Sequence, residues 1–67
     1  MRKKLRAARN NIGMSQQAMA DMLGISLRYY QRIEAGGCVG SFEIWDALED
    51  FTGIHQRILR EIDRTEE

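Results

Sequence analysis

Apolar positions recur at three- and four-residue spacing along this chain, and no stretch alternates with period two. Leu5, Ala8, Arg9 and Ile12 fall at i, i+3, i+4 and i+7, predicting a first helix over about residues 2–12 that Gly13 closes. Ser15 caps a second helix with Met19, Ala20 and Leu23 inward, ending at Gly24. Ser26 caps a third through Ala35 with Tyr30 and Ile33 inward, and Gly36 ends it. After a Gly37–Gly40 loop, Ser41 caps a fourth helix with Phe42, Trp45, Leu48 and Phe51 inward, stopping near Gly53. A fifth segment, from about Ile54 to Arg64, carries Ile54, Ile58, Leu59 and Ile62, and Thr65–Glu67 form a frayed tail. The pattern predicts an all-α, five-helix domain. Its Met, Trp and Phe stripes are core rather than a cofactor box.

Sixty-seven residues accommodate one small domain, 1–67, with a modest core. Cys38 is the only cysteine, so no disulfide supplements that core. Dimerisation is the expected supplement. No apolar run approaches the ~18 residues a membrane span requires, and no signal-peptide core is present. The expectation is a soluble cytoplasmic protein without membrane contact, nucleoid-associated if it binds DNA.

The formal net charge of zero conceals an asymmetry. Residues 1–35 hold seven basic side chains against two acidic ones, and residues 36–67 hold three against eight. A polyanion would be drawn to the first half and repelled by the second. The plainer reading, that these charges only solvate helix surfaces, stands beside it.

The second and third helices decide between them. Ala20 lies four residues before Gly24 and Ile33 nine after it, the spacing of a helix-turn-helix. Ala20 allows the helices to cross closely. Gly24 supplies a sharp turn that costs another L-residue about 1 kcal/mol or more. Ile25 and Ile33 anchor the two ends of the third helix, so Leu27, Arg28, Gln31 and Arg32 point outward. Two arginines and a glutamine on one face suit guanine and adenine edges. Arg2, Lys3, Lys4 and Arg6 are placed to reach flanking phosphates.

The caps, the Leu23-Gly24-Ile25-Ser26 turn and the Ile33-Glu34-Ala35-Gly36 ending together resemble the lambda-repressor/Cro-like, or xenobiotic-response-element, family of regulators. The resemblance runs from about Leu5 to Leu59. It implies double-stranded DNA as partner, with the third helix in the major groove. It places Ser15, Gln16, Ser26 and Tyr29 at phosphates and Leu27, Arg28, Gln31 and Arg32 at base edges. It also implies a partly buried bridge between Arg9 and Glu34. Three positions depart from the family pattern. Tyr30 replaces an aliphatic residue and needs a polar partner. The Gly37–Gly40 loop lacks the usual positive charge and proline. Glu49 and Thr52 replace apolar residues, which predicts a rotated fourth helix with Phe51 filling the gap.

No catalytic constellation stands out. Asp46, Glu49 and Asp50 cluster without a basic partner, and His55 with Cys38 cannot supply the three or four ligands of a zinc site. No metal and no cofactor are expected, and the protein is expected not to be an enzyme. Cys38 could be a redox-sensitive thiol or simply a loop residue. Trp45, Ile54, Ile58, Leu59 and Ile62 either close the core or form a homodimer interface. The leading expectation is a phage- or bacterium-type repressor on a palindromic operator. Its alternative is a protein-interaction adaptor on the same fold with weak or no specific DNA binding.

Overall fold

The computed structural model describes residues 1–63. They form α1 (Lys3–Ile12), α2 (Gln16–Leu23), α3 (Leu27–Ala35), α4 (Phe42–Thr52) and α5 (Gln56–Leu59), with no strand among the described residues. The expected tail of Thr65–Glu67 and the expected end of the last helix at Arg64 lie outside them.

Three helices begin where a serine hydroxyl takes an otherwise orphaned backbone donor. Ser15 Oγ accepts from the Ala18 N–H at 3.0 Å, Ser26 Oγ from Tyr29 at 3.1 Å and Ser41 Oγ from Ile44 at 3.3 Å. Each such cap stabilises its helix by about 1 kcal/mol. Four helices end on a glycine in the left-handed region, and the turn between α2 and α3 depends on Gly24, at φ 72°. A Cβ there would meet nothing within 4 Å. Gly24→Ala therefore carries only backbone strain and should lower stability by about 1–2 kcal/mol. An unchanged denaturation midpoint would show that the turn does not need this conformation.

Leu5, Met19, Ala20, Tyr30, Ile33, Leu48 and Leu59 are fully buried, so every helix contributes to one core. Ala20 is fully buried within it on α2, the helix that packs against α3, so a larger side chain there would have to displace the core beneath the candidate interface. Leu23 and Ile25 pack against this cluster from either side of the turn.

Four expectations are corrected. Phe42 and Phe51 do not face inward. Phe42 is 69% exposed, Phe51 is exposed too, and Ile44 takes the inward place beside Trp45 and Leu48. Phe51 thus fills no gap; Thr52 satisfies its own hydroxyl on the Leu48 carbonyl, and Glu49 accepts from Gln56. Ile12, at the last turn of α1, is exposed. The fifth helix is one turn rather than three. His55 Nδ1 caps it, accepting from the Arg57 N–H, and beyond Arg60 the Asp63 N–H donates to the Met1 carbonyl instead of continuing a helical ladder.

Candidate nucleic-acid interface

α3 is amphipathic by construction. Tyr30 and Ile33 bury one face, so Arg28, Gln31 and Arg32 are left exposed on the other, with Leu27 half-buried at its start. Arg28 and Arg32 are one turn apart and form no ion pair among the described residues. Tyr29 is half-buried and packs against the core, leaving its ring at the edge of this face.

A hydrogen-bonded network underlies the face. Arg9 Nε donates to Glu34 Oε2 at 2.8 Å and its Nη2 to Oε1 at 3.3 Å, with side chains 11% and 2% exposed. Arg9 Nη1 also donates to the Met14 carbonyl at 2.9 Å, tying α1 to the chain entering α2. The Tyr30 hydroxyl donates to Glu34 Oε2 at 3.0 Å, which gives the aromatic residue its polar partner inside the core. Gln16 Nε2 donates to Glu34 Oε1 at 2.8 Å, and Gln31 Nε2 donates to Gln16 Oε1 at 3.2 Å. The chain of contacts runs from the exposed α3 face to the buried carboxylate.

Burial alone would raise the Glu34 pKa, but donors from Arg9, Gln16 and Tyr30 outweigh it and hold the carboxyl below its ordinary range. Burial and the neighbouring Glu34 charge push the Tyr30 phenol up, so it stays a donor at neutral pH. At the start of α2, Ser15 Oγ accepts from the Ala18 N–H and its own O–H can still donate, while the Gln16 and Gln17 N–H groups lack intrahelical acceptors and suit an anion.

The basic N-terminal residues divide. Arg2 is only 3% exposed and is not available to a phosphate, a correction to its expected role. Its Nη1 donates to the carbonyls of Ile33 and Cys38, its Nε donates to the Arg60 carbonyl at 2.9 Å, and its guanidinium lies 5.2 Å from the Trp45 ring centre. Lys4 Nζ is held by Glu61 at 2.6 Å. Lys3 and Arg6 are exposed and form no ion pair among the described residues. The sequence carries a signal for Arg2, which immediately precedes α1 and lies three residues before Leu5, in line with the inward stripe of that helix. Its three acceptors come from distant segments and left no local trace.

The expected dimer residues divide as well. Trp45 and Leu59 are buried within their own chain and cannot form an interface, a second correction. The Trp45 indole donates to the Val39 carbonyl at 2.6 Å. Ile58 and Ile62 are exposed, while Ile54 is half-buried against the core. The Gly37–Gly40 loop presents Val39, not a cation, to solvent.

Two serine-capped helices packed together across the Gly24 turn, with an arginine-bearing face turned outward, define a helix-turn-helix unit. The helix-turn-helix family model matches residues 5–59, so the chain belongs to the lambda-repressor/Cro-like helix-turn-helix family. It is a DNA-binding regulator of transcription in a family that is generally non-enzymatic. No curated protein and no solved structure matches the chain. Among the described residues, no helix is long and apolar enough to cross a membrane.

Proposed function

We propose that the chain, acting as a single domain, is a sequence-specific repressor of phage or bacterial type that lays α3 in the major groove of an operator. The exposed Arg28–Gln31–Arg32 face, held from beneath by the Gln16–Glu34–Arg9 network, is the observation that carries this reading. Arg28 and Arg32 read guanine edges, Gln31 lies beside them, and Leu27 meets a thymine methyl. Ser15, Gln16, Ser26 and Tyr29 line the groove wall at phosphates, and Lys3 and Arg6 extend the contact. Lys4 joins them only if it leaves Glu61.

A homodimer formed through Ile54, Ile58 and Ile62 would set two α3 helices about 34 Å apart, matching an inverted repeat. If three to five phosphates are neutralised, log affinity falls with log salt at about −0.9 per contact. A fluorescence titration against duplex DNA at several salt concentrations checks this, and a salt-independent affinity contradicts it. Sedimentation showing a monomer both free and on DNA would remove the dimer.

One observation favours a second reading, an adaptor that keeps the fold but binds DNA weakly. Val39 and Phe42, in and just after an uncharged loop, are the most exposed large apolar side chains among the described residues. That surface suits a protein better than a phosphate backbone.

A further inference from the structure

A cleft of about 430 Å³ opens beside the Val39 loop and the segment following α5, lined by Arg2, Val39, Arg57, Arg60, Glu61 and Ile62. It shares no residue with the outward face of α3. Three of its six lining residues are arginines, and its one carboxylate, Glu61, is already matched by Lys4. Arg57 and Arg60 form no ion pair among the described residues. Arg2 is held by three backbone carbonyls and the Trp45 ring, none of which carries a full negative charge. Burial and then the neighbouring Arg60 charge both disfavour its cationic form. Among the described residues the cluster is therefore short of negative charge. Guanidinium groups meet carboxylate and phosphate oxygens through paired N–H donors, so a bound anion would relieve the repulsion with directional hydrogen bonds. The exposed Val39 and Ile62 side chains add apolar surface at the rim.

We propose that this cleft binds a small organic anion, a carboxylate or phosphate carried on an apolar group, with Arg57 and Arg60 as its principal donors and Arg2 at its floor. The apolar group rests on Val39 and Ile62. Occupancy bears on the DNA-reading helix, because Arg2, buried beneath the anion at the floor of the cleft, also holds the Ile33 carbonyl near the end of α3. The site does not depend on α3 contacting DNA, so it can be tested separately.

The test is an amide NMR titration of the full chain with phenyl phosphate and with benzoate, using sodium chloride at matched ionic strength as control. Expected are saturable shifts at residues 37–40 and 57–62 that chloride does not produce. The double variant Arg57→Gln, Arg60→Gln, changed only at exposed positions, should keep the fold and bind both probes about tenfold or more weakly. Shifts equal to the chloride control, saturation confined to the starts of α2 and α3, or a double variant binding as tightly as wild type would each overturn the proposal. Duplex DNA distinguishes the remaining source of phosphate. A salt slope reduced in the double variant by about 0.9 per arginine would assign these residues to the DNA backbone and overturn the small-ligand reading.

Discussion

Glu34→Gln is expected to destabilise the fold by about 3–5 kcal/mol, the largest effect of any single substitution considered. The carboxylate accepts from Arg9, Gln16 and Tyr30 within an almost closed environment, so its loss strands a guanidinium that is itself nearly buried. Folded domains are stable by only about 0.05–0.15 kcal/mol per residue, roughly 3–10 kcal/mol for a chain this size, so this loss removes a large share of the margin. Tyr30→Phe removes a single donor and should cost about 1 kcal/mol, leaving a variant folded enough to measure. Urea denaturation of both variants checks the pair. A Glu34→Gln midpoint within error of wild type would mean that the network contributes nothing.

The same network gives stability a pH signature of known sign. Glu34 titrates below its ordinary 4.5 in the folded chain, so its contribution is complete above that value and is lost as pH falls through the folded pKa. Tyr30 titrates above its ordinary 10.0, so its contribution is complete below that value and is lost as pH rises beyond it. Glu34→Gln should flatten the acid limb of the wild-type melting profile.

Arg28→Ala and Arg32→Ala are each expected to weaken operator binding by about 1–3 kcal/mol and to relax discrimination at one base pair. Both side chains are exposed and unpaired within the described residues, so melting temperature should not move. Lys3→Ala and Arg6→Ala should instead weaken binding alike on all sequences and reduce the salt slope by about 0.9 each. Competition assays with single-base operator variants separate the two classes. Equal losses on specific and random DNA for Arg28→Ala would move that residue from base edge to backbone.

The helix-turn-helix was legible because its signals are local. Serine caps, the Gly24 turn and apolar residues four and nine positions away are fixed by backbone geometry within some twenty residues, and a family resemblance reinforced them. On α4 the spacing places Trp45 and Leu48 correctly inward but adds Phe42 and Phe51, for a geometrical reason. Residues three apart advance about 300° around a helix, so Phe42, Trp45, Leu48 and Phe51 spread across half its circumference. Ile44, Trp45 and Leu48 span a narrower arc, and that arc faces the core. The fifth helix was over-extended because Ile58 and Ile62 keep helical spacing, whereas the backbone is diverted by a hydrogen bond from Asp63 to Met1. Arg2 was misplaced because charge suggested solvent, while its acceptors come from carbonyls of segments far along the chain. In the candidate site, the outward residues of α3 followed from which residues it buries. The link from Gln31 through Gln16 to Glu34 joins α2 to α3 by side chains alone, and spacing did not reveal it.

Reading of DNA sequence by the outward face of α3 is the property proposed for this chain. Its most direct test is selection from a pool of random duplexes at low salt, run in parallel with wild type and with the Arg28→Ala, Arg32→Ala double variant. Enrichment of an inverted repeat with guanines in each half-site, abolished in the double variant while its melt is unchanged, is the predicted result. A folded wild-type protein that enriches no sequence, or a double variant that enriches the same repeat equally well, would contradict it.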